Sequence, residues 1–174
     1  MGFFRDMDWK VVLSGFIVIA TMVAGYIVTP AKDAPQPDEV DYQSKLPIER
    51  VVIEKQNGGL HTFSLEIAHK PVDIQMGLMF RKEMDKDHGM LFLMGSQPNV
   101  VSFWMKNTPL PLDMLFIARD GKIAHIHKNA TPLSETPISS QVPVTGVIEL
   151  NAGRADATGL KVGDTVRYNY FMQP

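Results

Sequence analysis

Short apolar runs separated by turn residues recur along the chain and predict β-strands. Residues 49–54 contain a β-branched run, residues 56–59 read Gln-Asn-Gly-Gly, and residues 60–67 alternate in the manner of a strand. This pattern is typical of a β-hairpin, in which a glycine-containing turn joins two strands. Further runs of the same kind predict strands over residues 90–94, 100–105, 114–118, 123–127, 144–150 and 165–171.

Two segments carry the pattern of short helices rather than of strands. Apolar residues recur at helical spacing from Pro71, which suits the first turn of a helix, as far as Phe80. Gly77 costs this helix some stability, so we expect another part of the protein to pack closely against it. Residues 152–158 predict a second helix, which Gly159 closes.

Together these elements predict a mostly β domain of the α+β class. Short strands with turns between them, accompanied by two short helices, are typical of a compact antiparallel β-barrel or β-sandwich. Strands and helices do not alternate as they do in a Rossmann-like fold, and the sequence contains no glycine-rich phosphate loop. We therefore expect one globular β domain over residues 48–174.

The N-terminal part has a different pattern, which predicts a membrane anchor. Residues 11–28 contain no charged residue. A helix of this length spans roughly 27 Å, close to the thickness of a bilayer core. Two basic residues, Arg5 and Lys10, precede the segment and one, Lys32, follows it closely, which favours a cytoplasmic N-terminus. The sequence thus predicts a transmembrane helix before the β domain.

These patterns divide the chain into four predicted regions. They are a cytoplasmic N-terminus, a transmembrane signal anchor, a flexible proline-rich tether and the globular β domain, over residues 1–10, 11–28, 29–47 and 48–174. The protein is then a single-pass inner-membrane protein with its globular domain on the periplasmic side. Cleavage after small residues near residue 30 is the alternative, and it would release the domain into the periplasm.

Charge and composition exclude several classes of function. The formal net charge is -2 and there is no basic run, so we expect no nucleic-acid partner. The chain has no cysteine, which excludes thiol catalysis, disulfides and thiolate metal sites. His125 and His127 share one face of a predicted strand, but no third ligand stands at a suitable spacing. We therefore expect neither a metal nor a cofactor.

The stretch FWMKNTPLPLDMLFI, residues 103–117, introduces charges among apolar residues. Lys106 and Asp113 flank a loop with two prolines, Glu149 stands within a later apolar strand, and Arg81 follows the first predicted helix. A charge in such a place needs a partner or contact with water, and two interpretations stay open. The four charges form a balanced ion-pair network, or they line a site for an anionic or polyol ligand at one end of the domain.

The candidate ligand-binding residues are these four charges with an aromatic and an amide neighbour: Arg81, Trp104, Lys106, Asn107, Asp113 and Glu149. A tryptophan face with carboxylate and amide groups suits saccharides. Asn107 also has the chemistry of a turn residue. A general acid/base pair of Asp113 and Glu149 is a further interpretation, but the sequence identifies no catalytic residue.

Six motifs then occur in order along the folded part. They are GLMFR, GMLF, FWMKNTPLPLDMLFI, DGKI, VIELNAG and GLKVGD, at residues 77–81, 89–92, 103–117, 120–123, 147–153 and 159–164. In order and spacing the chain resembles the bacterial and archaeal family called domain of unknown function 192 over roughly residues 49–170. The resemblance implies a compact, barrel-like, mostly β domain with short helices, in a family whose members are often exported or membrane-tethered. It implies no catalytic residues.

The sequence therefore favours a membrane-tethered, exported domain that binds a ligand or a protein partner at the cell envelope, with saccharides as one ligand class. A hydrolase that uses Asp113 or Glu149 as general acid/base is one alternative. A passive interaction module that holds a partner at the membrane is the other. The residue pattern favours binding over catalysis, but it does not decide whether the protein is an enzyme.

Overall fold

The structure, a computed structural model, describes residues 46–172, which belong to one compact unit. The predicted signal anchor over residues 11–28 and nearly all of the predicted tether lie outside this range, so both stay predictions. Between residues 46 and 172, no helix is long and apolar enough to cross a membrane. The described residues correspond to the predicted globular domain.

The described part of the chain contains nine β-strands, two short α-helices and one 3-10 helix. The strands are β1 Ile48–Glu54, β2 Leu60–Ala68, β3 His88–Leu93, β4 Ser102–Phe103, β5 Leu112–Ile117, β6 Ile123–Ala130, β7 Ile138–Ser139, β8 Gly146–Asn151 and β9 Thr165–Arg167. The helices are α1 Pro71–Met76 and α2 Arg154–Thr158, and the 3-10 helix is Asn169–Phe171. The prediction of a mostly β fold with two short helices is confirmed.

Seven strands form one curled sheet that resembles half of a barrel. Their order is β6-β5-β8-β3-β2-β1-β9, while β4 and β7 pair separately. The two edges of the sheet meet at one end. There Lys122 and Thr165 form an isolated antiparallel β-bridge, and the Val166 amide donates a hydrogen bond to the Gly121 carbonyl at 2.8 Å. Joining the edges at that end leaves fewer exposed backbone groups at the sheet margins.

One strand pair differs from the predicted antiparallel arrangement. β2 and β3 run parallel, with Leu65 opposite Gly89, whereas every other strand pair in the described sheets is antiparallel. A parallel pair needs a crossover connection. Residues 69–87, which contain α1, supply it. This crossover brings α1 to the sheet, where α1 forms one side of a cleft.

Two apolar clusters lie on the two faces of the sheet. In β8, Ile148 and Leu150 belong to the first cluster, together with residues of β1, β2 and β9. Val147 belongs to the second cluster, which also contains Met90 and Phe92 of β3. Successive residues of a strand point to opposite faces, so Glu149 lies on the face of the second cluster. The alternation along each strand therefore decides which face of the sheet a side chain lies on.

The first helix is shorter than its apolar pattern predicts. α1 ends at Met76, because Gly77 has a φ of 50° and Phe80 has a φ of 64°, values that interrupt a right-handed helix. A Cβ atom at Gly77 would lie 3.4 Å from Cζ of Phe92. The predicted close neighbour of this glycine is therefore present. The chain just beyond the end of α1 therefore lies against Phe92 of β3.

Candidate functional site

A cleft opens on the face of the second cluster, between α1, β4 and the sheet. Its volume is about 440 Å³. Most of its lining is apolar or aromatic, and its few polar side chains include Gln75, Ser102, Thr108 and Glu149. The apolar lining residues are Ile74, Met76, Leu78, Met79, Phe92, Met94, Phe103, Trp104 and Pro137. Small-molecule sites commonly combine such a lining with a few polar groups.

Glu149 is the ionisable residue that lines this cleft. Its relative exposure is 5 %, and in β8 it lies between Met90 of β3 and Met114 of β5. No side chain or backbone group among residues 46–172 forms a hydrogen bond or ion pair with its carboxyl group. Burial raises the pKa of Glu149 from 4.5 to about 8, so the carboxyl is protonated at neutral pH.

Aromatic rings form one wall of the cleft. Phe103 of β4 packs edge-on against Phe92, with 5.2 Å between ring centroids, and against Phe116 at 6.4 Å. Trp104 follows at the rim and remains 48 % exposed. Trp104 and Glu149 are thus two predicted site residues that the fold brings to one cleft.

Lys106 lies outside the cleft, against Trp104. Its Nζ is 5.6 Å from the centroid of the Trp104 ring and 3.5 Å from Oε1 of the exposed Glu135. A cation held against an indole face fixes the orientation of the ring. Lys106 therefore supports the rim of the cleft without lining it.

Asn107 shapes the loop beside the cleft. It adopts a left-handed conformation with a φ of 54°, which asparagine tolerates better than most residues. Its carbonyl accepts a hydrogen bond from the Phe80 amide at 2.7 Å. The turn residue that the sequence predicts thus ties the loop after β4 to the segment after α1.

Arg81 is engaged in a buried ion pair that the sequence did not reveal. Its guanidinium group donates two hydrogen bonds to the carboxylate of Glu66, one of them at 3.1 Å. Nε2 of His88 lies 2.9 Å from the same carboxylate. Glu66 is nearly inaccessible to solvent. In the sequence, Glu66 was visible only as a single acid near the end of the predicted strand over residues 60–67.

Asp113 points to the other face of the sheet. It is fully buried, and its carboxylate accepts hydrogen bonds from the amides of Asn129 at 3.0 Å and Ala155 at 2.9 Å. Leu115 lies two residues further along β5 and belongs to the first cluster, on the face opposite to Glu149. Asp113 therefore caps the start of α2 and does not line the cleft.

The four charges that the sequence grouped together consequently have separate environments. Among the described residues, no two of Arg81, Lys106, Asp113 and Glu149 form an ion pair with each other. Asp113 and Glu149 project from opposite faces of the sheet, so the fold does not assemble them into an acid/base pair. Neither the predicted ion-pair network nor the six-residue ligand site is formed as a unit.

His125 and His127 lie on edge strand β6, on the face of the second cluster. His125 stacks on Phe116 with ring centroids 5.6 Å apart. Its pKa lies below the usual value, mainly because of burial and further because of the neighbouring His127. No group of three histidine or acidic side chains within residues 46–172 is arranged to hold a metal ion.

A family model described as DUF192, Uncharacterized ACR, matches residues 52–168, about two thirds of the chain. This range contains every strand from β2 to β9 and all residues that line the cleft. No curated protein matches the chain.

Two crystal structures resemble the described fold. One is from Sinorhizobium meliloti 1021 and is named as a candidate transcription regulator; it is 46 % identical, covers 72 % of this chain and 96 % of its own, and has a TM-score of 0.69. The other is a protein of unknown function from Novosphingobium aromaticivorans DSM 12444; it is 37 % identical, covers 78 % of this chain and 91 % of its own, and also has a TM-score of 0.69.

Proposed function

The chain belongs to the domain of unknown function 192 family, and we propose that it is a ligand-binding domain whose small ligand enters the cleft beside Glu149. The apolar body of the ligand lies among the methionines and aromatic rings. One polar group of the ligand forms a hydrogen bond or ion pair with the Glu149 carboxyl, which no other described residue supplies. The domain would carry out this binding at the cell envelope, as the N-terminal sequence predicts.

The carboxyl of Glu149, which has no hydrogen-bond or ion-pair partner within residues 46–172, is the observation that carries this proposal. Burying a carboxyl group without a hydrogen-bond partner costs free energy, and folded proteins rarely retain such a group without a reason. Glu149 is buried and faces a cleft large enough for a small molecule. Local violations of the rules of stable folding are expected at functional sites, where a ligand can supply the missing partner.

The lining of the cleft favours a ligand with an apolar body over a saccharide. Saccharides present several hydroxyl groups and need many polar partners. Few polar side chains line the cleft, and Thr108 already donates a hydrogen bond from its hydroxyl to the Lys106 carbonyl at 3.2 Å. Arg81 and Asp113 are engaged elsewhere. We therefore prefer an apolar ligand to the saccharide that the sequence first suggested.

Binding also accounts for the site better than the other functions considered. A hydrolase in which Asp113 and Glu149 act as an acid/base pair needs both residues in one site, and they lie on opposite faces of the sheet. We do not extend the regulator description of the Sinorhizobium meliloti protein to this chain, because the net charge is -2 and the sequence has no basic run.

Binding at the envelope requires the predicted anchor. We expect deletion of residues 11–28 to move the protein from the membrane fraction to the soluble fraction, because this apolar segment is long enough to span a bilayer. The measurement is sedimentation of membranes after an alkaline carbonate wash. Deletion of residues 34–41, within the predicted tether, serves as the control and should leave the protein in the membrane fraction. Recovery of the full-length chain in the wash supernatant would contradict the anchor.

Binding in the cleft can be measured with phenylbutanol as the probe. The full-length chain is labelled on its methionine methyl groups and titrated by NMR. We expect the resonances of Met76, Met79 and Met94, which line the cleft, to shift together, while that of the exposed Met172 does not. Saturation at millimolar concentration or below is the expected result.

Two tryptophan variants test whether this binding occurs in the cleft. Met76→Trp places a larger side chain at a half-exposed position of the cleft lining and should weaken binding at least about tenfold. Val162→Trp is the matched control, because Val162 is similarly exposed and does not line the cleft. Shifts spread over all methionines, or equal effects of the two variants, would refute the proposed site.

A further inference from the structure

We propose that the natural ligand of this cleft is an organic cation, an ammonium group on an apolar body, which forms an ion pair with the ionised carboxylate of Glu149. This inference rests on the proposed function and specifies the class of ligand. It follows from the charges that surround Glu149, from the aromatic wall of the cleft and from the absence of a cation that already neutralises this carboxyl in the described residues.

The strand positions directly beside Glu149 carry no charged side chain. The positions beside it on the two neighbouring strands are Met90 and Met114. On the same face, Glu66 lies two strands away on one side and His127 two strands away on the other, each about 10 Å from Glu149 at ordinary strand spacing. The two cationic or basic groups next to Glu66, those of Arg81 and His88, are bound to its carboxylate.

The elements that cover the sheet do not supply a cation either. The ionisable residue of α1 is Asp73, an acid, one of whose carboxylate oxygens is buried without a partner in the part of the chain that the structure describes. The cation that follows β4 is Lys106, which lies against Trp104 and pairs with Glu135. Among the described residues, Glu66 and Glu135 are thus each paired with a cation, whereas no cation is paired with Asp73 or Glu149, and a positively charged ligand complements the Glu149 carboxylate.

The walls of the cleft suit an ammonium group with an apolar body. Phe103 and Trp104 offer aromatic rings, whose faces attract cations. Met76, Met79 and Met94 offer polarisable thioethers that adapt to an apolar chain. An anionic ligand would instead place a second negative charge beside a buried carboxyl group, which disfavours ionisation of both.

Such a ligand changes the protonation of its own site. In the empty cleft the carboxyl of Glu149 is protonated at neutral pH, because its pKa is about 8. On binding of the cation, the O–H bond of the carboxyl breaks, the proton passes to the buffer, and the carboxylate pairs with the ammonium group. An alkylamine remains charged up to about pH 10. Affinity must therefore rise with pH until Glu149 is ionised without ligand.

Three probes that share one apolar body test this inference: phenylbutylamine, phenylbutanol and phenylbutanoate. Each is titrated into the full-length chain by calorimetry and by methionine-methyl NMR. We expect phenylbutylamine to bind at least about tenfold more tightly than phenylbutanol near pH 8, and phenylbutanoate to bind most weakly. Between about pH 6 and about pH 9, the affinity for the amine should rise roughly 50- to 100-fold, with proton release visible in buffers of different ionisation enthalpy.

Two variants connect these effects to Glu149. Glu149→Gln should bind the amine and the alcohol with equal affinity and release no proton, because glutamine cannot ionise. Asp156→Asn, which removes an exposed acid outside the cleft lining, should keep the preference for the amine and its dependence on pH.

The outcomes separate this inference from the proposed function. If phenylbutanol binds in the cleft as tightly as the amine, or if Glu149→Gln retains the preference for the amine, the cationic ligand class is wrong and the cleft remains a binding site. If none of the three probes shifts the cleft methionines at millimolar concentration, both proposals fail.

Discussion

The stability of the native chain should fall steeply as pH rises from about 4.5 to about 8, and Glu149→Gln should remove this fall. Burial raises the pKa of Glu149 to about 8 in the folded state, whereas the unfolded chain ionises near 4.5. Below about pH 4.5 both states are protonated and the residue has no pH-dependent effect. Between the two values only the unfolded state loses its proton, so unfolding becomes more favourable by about 1.4 kcal/mol per pH unit.

The expected total loss of stability between these two pH values is on the order of 5 kcal/mol, a large part of the free energy of unfolding of a typical domain. It is complete above about pH 8, where both states are ionised. The measurement is urea-induced unfolding of the native chain and of Glu149→Gln at several pH values. Other groups contribute to each curve, among them His125, whose lowered pKa acts in the opposite direction.

The difference between the two curves isolates Glu149. It should grow in favour of the variant as pH rises and then level off. Glu135→Gln is the control, since Glu135 is exposed, and its difference from the native chain should stay near zero throughout. A difference between native chain and Glu149→Gln that does not change with pH would contradict the buried, unpaired state of this carboxyl.

Arg81→Met should destabilise the domain by about 3–5 kcal/mol, because it leaves the buried carboxylate of Glu66 without the guanidinium that neutralises it. Methionine keeps much of the length of the arginine side chain, so the loss reflects charge more than packing. Urea-induced unfolding near pH 8 is the measurement.

A double-mutant cycle separates the ion pair from other effects of the substitution. Glu66→Met combined with Arg81→Met should recover a large part of the lost stability, because the double variant also removes the carboxylate that has lost its guanidinium partner. The exposed pair of Arg167 and Glu54 is the matched control, and Arg167→Met should cost at most about 1 kcal/mol. Additive losses in the Arg81 and Glu66 variants would show that the two side chains are not coupled.

The sequence predicted the local structure well because turns and strands follow from nearby residues. The hairpin of β1 and β2, the strands that became β3, β5, β6 and β8, and both helices stand where short-range patterns indicated. The lengths were less well predicted. α1 ends at Met76, and the run over residues 100–105 forms only the short strand β4, since contacts with distant segments decide how far each element continues.

The candidate site was predicted only in part. Trp104 and Glu149 line the cleft, whereas Arg81, Lys106, Asn107 and Asp113 serve the structure around it. A charge in an apolar strand signals a special environment, but the sequence does not show which face of the sheet the charge occupies. Strand alternation and register place Asp113 on one face and Glu149 on the other, and both depend on the pairing of distant strands.

Periodicity, turn chemistry and the order of motifs in the sequence were enough to predict the mostly β fold, the two helices and the family. These properties depend on residues close together in the chain or on the order of short motifs along it. The parallel pairing of β2 with β3, the salt bridge between Glu66 and Arg81, and the isolation of Glu149 in an apolar cleft emerged only in three dimensions. Each depends on segments far apart in sequence, whose relative positions the packing of the whole sheet determines.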